Sequence, residues 1–186
     1  MGRHSTQIPD WNVVVSIHGD NYVHAKRIMA QFGEVSGTGY YNVLVMRVSD
    51  IGAFLHRLER LVETAPDFLQ IVARVLPAQI TFDFEDVDDF ERRAREAALA
   101  WAPQLLDKTF YVRLHRRGYK GRLLSPVEER FLDEALLRDL DARGHPGRIR
   151  FADSDAVIDV ETVGSRAGMA LWRREDLHRY PFLRIN

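Results

Sequence analysis

Across Asn12–Phe84 the apolar residues change period repeatedly, from strand-like alternation to helical spacing and back. Asn12–Ile17 reads Asn-Val-Val-Val-Ser-Ile, a β-rich run expected to lie inside a sheet with both faces covered. Gly19-Asp20-Asn21 makes a turn, and Ala25, Ile28, Met29 and Phe32 then fall at i, i+3, i+4 and i+7, the apolar stripe of a helix. Gly33 stands where a helix end favours a residue free to take positive φ. Glu34–Thr38 is a weak short strand and Tyr41–Val48 a strong one. Asp50 is placed to cap a second helix carrying Ile51, Phe54, Leu55, Leu58, Leu61 and Val62, which Pro66 stops. Ala73–Phe84 is again strand-like, but Pro77 inside it demands an edge, a bulge or a break.

The resulting order, βαββαβ, is the split-βαβ, ferredoxin-like pattern, and it assigns residues 10–86 to one small domain. The acidic cluster at Glu85–Asp89 marks the boundary, and residues 87–186 form the second unit of an α+β chain. That unit opens with a helix over Val87–Leu106, its early acids suited to the positive end of the helix dipole. A strand follows at Phe110. Ser125-Pro126-Val127-Glu128 then has the composition of a helix start, with Ser125 as N-cap and Glu128 closing a capping box. Ala156–Val163 and Arg166–Trp172 are strands joined by a Gly164-Ser165 hairpin turn, and Arg173–Asn186 closes the chain.

Composition excludes more than it selects. The 186 residues contain no cysteine, which removes disulfides and thiolate metal sites. Met1–Ser5 opens no signal-peptide core and no run is long enough to span a bilayer, so a cytoplasmic protein without a membrane partner is expected. A net charge of −1 hides an asymmetry. Residues 1–107 carry 10 basic and 15 acidic side chains, whereas residues 108–186 carry 16 and 12, so a polyanion partner would be met by the second half.

The cationic density peaks between Gln104 and Ser125, with six Lys/Arg against one acid, Asp107. Phe110, Val112 and Leu114 alternate with Tyr111, Arg113 and His115, and the strand runs into a Gly-punctuated loop bearing Arg116, Arg117, Lys120 and Arg122. A strand edge feeding such a loop supplies positive donors to phosphates, with Tyr119 as a ring on which an unpaired base can stack. Arg166, Arg173 and Arg174 extend this surface if the sheet brings them beside Arg113–Arg122. A solvated charge run flanking a core strand, with Trp172 as core, has the same composition.

Catalytic signatures are sparse. There is no phosphate-cradling glycine motif, no His-Glu-x-x-His and no Gly-x-Ser-x-Gly. Asp83, Glu85, Asp86, Asp88 and Asp89 lack the spacing of a calcium loop and suit a capped helix, and no metal or cofactor is expected. His18 and His24 bracket a turn without completing a ligand set. Acylphosphatase chemistry needs an arginine-bearing anion loop after the first strand, and Ser16-Ile17-His18-Gly19-Asp20-Asn21 has an acid instead. The alternative to RNA binding is a small enzyme or protein-binding scaffold of ferredoxin-like fold, using His115 or the acidic Asp83–Asp89 cluster.

Taken in order, these segments resemble a THUMP domain. A helix leads into Lys108–Gly118, then Ser125–Leu140, Asp159-Val160-Glu161 and a closing Leu177–Leu183 segment. The Ser/Thr-Phe-x-Val-Arg-x-x-Arg strand of that family is present as Thr109-Phe110-Tyr111-Val112-Arg113-Leu114-His115-Arg116. The ferredoxin-like unit ahead of it is similar to the domain that accompanies THUMP, so the resemblance covers about residues 12–186. It implies a non-catalytic adaptor that binds tRNA, chiefly at the acceptor stem and single-stranded 3′ end. The partner implied is a separate tRNA-modifying enzyme, such as a cytidine acetyltransferase. Catalytic members of the THUMP families carry a further domain, which would begin where this chain stops, at Asn186.

Overall fold

The computed structural model describes residues 7–186; the Met1–Ser5 stretch read for a signal peptide lies outside them. The chain divides into two compact units, Met1–Val75 and Leu76–Asn186.

The first unit contains β1 (Val13–Ile17), α1 (Tyr22–Met29), β2 (Glu34–Gly37), β3 (Val43–Arg47), α2 (Ile51–Thr64), the short α3 (Phe68–Ile71) and the start of β4 (Val72–Pro77). Its sheet has the order β2-β3-β1-β4, with β3 antiparallel to both β1 and β2. Val13, Val14 and Val15 are all buried, as an interior strand requires. Asp50 caps α2 through a 2.8 Å hydrogen bond from the Ala53 N–H. Gly33 does a different job from the helix-ending one its position suggested. A Cβ there would sit 2.6 Å from the Arg47 carbonyl oxygen, so glycine is needed for the close approach of β2 to β3.

The expected strand Ala73–Phe84 breaks after Pro77, and its halves join different sheets. β5 (Ile80–Asp83) pairs antiparallel with β9 in the second unit. Gln79 fixes the break: its backbone N–H donates to the Met169 carbonyl, and its side-chain Oε1 accepts the Leu171 N–H at 3.0 Å.

The second unit continues with α4 (Val87–Ala100), a 3-10 turn at Ala102–Gln104, β6 (Thr109–Arg117), α5 (Ser125–Ala142), β7 (Arg148–Ile149), β8 (Ala156–Val163), β9 (Arg166–Arg173) and α6 (Arg174–Arg179). Pro103 ends the helix expected to reach Leu106 and starts the tighter turn. The sheet order is β5-β9-β8-β6-β7; β6 is parallel to both β7 and β8, and the β8–β9 hairpin turns on Gly164 at φ +62°. One face buries Phe110, Val112, Leu114, Ile158, Val160, Met169 and Leu171 in a core with Phe90, Trp101, Leu132 and Leu136 from the helices. Ser125 is the first residue of α5; Leu124 holds the cap position without a side-chain hydrogen bond, and the helix start rests on Pro126 instead.

Beyond Phe110, β6 has no strand on the side of β7, and α5 closes that edge with carboxylates. Asp133 accepts the Val112 N–H at 2.9 Å and Glu129 the Leu114 N–H at 2.8 Å, four residues apart on one helical face. Burial pushes the Asp133 carboxyl up to about 7 against the opposing pull of the Val112 N–H, with Glu129 adding repulsion.

Candidate nucleic-acid interface

The second face of this sheet carries four of the residues expected to meet RNA, Arg113, His115, Arg117 and Arg166. Register places Arg113 opposite Asp159, His115 opposite Glu161, and Arg117 opposite Val163, which in turn faces Arg166. Two acids two residues apart in the buried β8 therefore stand beside the cations of β6. Asp159 and Glu161 are each 2% exposed.

The outcome is pairing rather than display. His115 Nδ1 lies 2.8 Å from Glu161 Oε1 and 3.4 Å from Asp159 Oδ1. Arg117 forms an ion pair with the other Glu161 oxygen. Burial by itself would lower the His115 pKa, but hydrogen bonds and charge from Asp159 and Glu161 raise it to about 9. Two carboxylates thus face one guanidinium and one imidazolium, and the charges balance. The same His115, Asp159 and Glu161 donor atoms lie within 4.8 Å of one another, a donor set that could hold a divalent cation once the imidazole loses its proton.

The remaining arginines are also engaged. Arg113 reaches Glu129 Oε2 at 3.7 Å and donates to the Asn186 side chain at 3.2 Å. Arg166 meets Asp83 at 3.2 Å and Thr81 Oγ1 at 3.0 Å. Arg174 bridges Asp153 at 2.8 Å and Asp155 at 3.3 Å. Arg173 takes part in the α6 cap with Asp176 and reaches Gln104 Oε1 at 3.4 Å. Arg116 turns back on the Gly118 carbonyl at 2.5 Å.

A single continuous cationic face is therefore not what these ten residues build. Register also separates them: Arg173 pairs with Ala156 at the Phe110 end of the sheet, whereas Arg166 and Arg117 lie at the other. Eight-residue strands put about 23 Å between those ends. Trp172, expected as core if the charges merely flank the strand, is buried.

What stays open is the loop after β6. Lys120 and Arg122 are exposed. Neither has a carboxylate partner among the described residues. Tyr119 takes φ +50°, donates its hydroxyl to the Glu85 carbonyl at 3.2 Å, and packs its ring 5.1 Å from that of Phe84. The Arg122 guanidinium lies 4.8 Å above the Tyr119 ring. Tyr119 is thus the anchor of the loop and not a free stacking face, and Arg122 is pre-oriented by it.

The acidic cluster resolves into helix chemistry. Asp86 caps α4 by accepting the Asp89 N–H at 2.8 Å, and Asp89 pairs with Arg92 at 2.5 Å and Arg93 at 3.0 Å. Residues missed from the sequence are Asp159 and Glu161 as charge partners, signalled by acids at i and i+2 in an apolar run. Arg148 on the two-residue β7, and Arg150 and Phe151 just after it, were also missed, because an element that short carries no periodicity.

No protein-family model and no curated protein matches the chain. Solved structures share its fold. PH1313 from Pyrococcus horikoshii Ot3 superposes with a TM-score of 0.56 at 12% identity, over 87% of this chain and 54% of that one. TrmN from Thermus thermophilus gives 0.57 at 20% identity, over 87% and 44%. A 4-thiouridine synthetase solved with RNA and ATP gives 0.53 at 13% identity, over 88% and 42%. The chain spans about half the length of these proteins, and at these identities what it shares with them is the fold.

Proposed function

We propose that this chain is a non-catalytic tRNA-binding protein, a THUMP-type adaptor. It presents tRNA, by the acceptor stem and 3′ end, to a modification enzyme such as a cytidine acetyltransferase. On this reading the first unit, with its β2-β3-β1-β4 sheet, is a ferredoxin-like domain and the second is the THUMP domain. The observation that carries the reading is the β6–α5 loop, where Lys120 and Arg122 stay free of carboxylates while Tyr119 holds the loop to the core. A likeness of fold to a 4-thiouridine synthetase captured with RNA supports the same class of partner. His115 speaks against the enzyme alternative: with its pKa raised to about 9 it is protonated at neutral pH and is no general base.

Filter binding of the purified chain to a tRNA transcript tests this directly. Binding that weakens when Lys120 and Arg122 are both changed to Glu, with the melting curve unmoved, is the expected result. Absence of salt-sensitive binding by the unmodified chain overturns it.

A further inference from the structure

We infer that the β7 edge of the second sheet is a second RNA contact, a platform for single-stranded RNA built from Arg148, Arg150 and Phe151. The inference rests on the RNA-binding reading and adds to it a surface that no residue of the β6 motif supplies.

The edge is held rigidly. The Arg148 N–H donates to the Lys108 carbonyl at 3.0 Å and the Arg150 N–H to the Phe110 carbonyl at 3.1 Å, which seats β7 along the start of β6. Ile149, between them, packs partly buried against the core. Gly147 before them lies so close to Leu140 and Phe110 that a Cβ would meet both at 2.7 Å. With Ile149 inward, the extended backbone fixed by both N–H bonds places Arg148 and Arg150, the latter just past β7, on the same side, roughly 6.6 Å apart by the strand rise.

Their chemistry differs from that of the arginines on β6. Both are exposed. Among the described residues neither has an ion-pair, hydrogen-bond or ring partner for its guanidinium. Guanidinium groups without carboxylates are the ones left to bind phosphate.

Beside them stands Phe151, 61% exposed, an uncommon state for so large an apolar ring. It is not adrift: its ring centroid lies 5.3 Å from that of buried Tyr111. One side is thus supported and the rest offered to solvent. A supported ring with two free cations at strand spacing matches one unpaired base and its flanking phosphates. Arg130, across a depression of about 300 Å³ that Phe151 and Ile149 also line, adds a further cation. Of the acids in that depression, Glu129 and Asp133 accept from the β6 backbone, and Glu134 lies 3.6 Å from exposed Arg138.

Charged residues on an exposed strand edge also deter edge-to-edge pairing, and the experiment separates the two roles. Binding of a fluorescent single-stranded oligoribonucleotide and of a hairpin duplex is measured for the full chain, the Arg148→Glu/Arg150→Glu variant, Phe151→Leu and the Lys120→Glu/Arg122→Glu variant. Sedimentation is run alongside. Phe151→Leu keeps the apolar packing and removes the π-face, and is expected to weaken single-strand binding by about tenfold. The Arg148→Glu/Arg150→Glu pair is expected to weaken it by at least about thirtyfold with the sedimentation of the chain unchanged. If both edge variants bind like the unmodified chain while the loop variant fails, the edge inference falls and the RNA reading stands. Edge variants that associate yet keep their affinity assign the arginines to edge protection and overturn it. If the unmodified chain binds neither RNA, both fall together.

Discussion

His115 and Glu161 face each other across the parallel pairing of β6 and β8, imidazole Nδ1 to carboxylate Oε1 at 2.8 Å, with Asp159 two pairing steps away at 3.4 Å. Their contact ties stability to pH. Burial disfavours the imidazolium, the two carboxylates favour it more, and the folded-state pKa rises to about 9 from 6.5. The stabilisation is therefore complete below pH 6.5 and drains away as pH climbs through 9, roughly 3 kcal/mol in all. Urea unfolding at pH 6 and pH 9.5 should show that loss on top of a smaller carboxylate one, and His115→Gln should remove the imidazolium share. An unmodified chain equally stable at both values would contradict the pairing.

Glu128 adds a second decline at lower pH. It is 2% exposed in α5; burial raises its carboxyl pKa, the charge of Glu91 raises it further, and it reaches about 7. Asp133, also near 7, behaves alike. Each binds a proton in the folded state at pH values where the unfolded chain has released it, so stability falls as pH rises from the ordinary carboxylate range to 7. This has the same sign as the His115 effect. Maximal stability is expected on the acid side of neutrality, near pH 5. Glu128→Gln, which keeps a neutral side chain of the same size, should be more stable than the unmodified chain at pH 8 and indistinguishable from it at pH 4.5.

How much of this the sequence disclosed depends on how local each determinant is. The β-rich runs around Val13–Val15 and Ala156–Val163 and the helical stripe of α2 were legible because each is written in neighbouring residues. Pro77 marked a break, but not that the two halves join different sheets, since that choice is made by Gln79 against Met169 and Leu171, some ninety residues away. Charge was the least legible. Arg113, His115 and Arg117 read as a display because their neutralising partners, Glu129, Asp159 and Glu161, are brought alongside only by helix packing and strand register. β7 escaped notice because two residues carry no period.

Gly147 offers a test of packing alone. Its missing side chain leaves room for Leu140 Cδ1 and Phe110 Cε1, and a Cβ would meet each at 2.7 Å. Gly147→Ala is expected to cost about 1–3 kcal/mol, the range for overfilling a packed site. Gly121→Ala meets nothing within 4 Å and is strained only by its φ of +77°. Chemical denaturation of the two variants separates crowding from backbone strain. A Gly147→Ala chain as stable as the unmodified one would mean that α5 and β7 can move apart at little cost.

Arg117 and Arg122, five residues apart, should fail in opposite ways. Arg117 is 13% exposed at its side chain and paired with Glu161, so Arg117→Ala leaves a buried carboxylate short of a partner. Breaking such a pair costs about 3 kcal/mol, a loss of roughly 10 °C in Tm for a chain of this size. Arg122 lies over the Tyr119 ring, and among the described residues neither it nor Lys120 has a carboxylate partner. Changing both to Ala should leave Tm within about 2 °C while weakening RNA binding. The salt response completes the test. With about five open cations, Lys120, Arg122, Arg130, Arg148 and Arg150, affinity should fall by about two to three decades between 50 and 200 mM salt. If the β6 arginines also released their carboxylates to grip phosphate, the fall would be steeper, and Arg117→Ala would lower the slope. A slope unchanged by Arg117→Ala but reduced by Lys120→Ala/Arg122→Ala places the electrostatic contact on the loop and leaves the strand pairs to hold the sheet together.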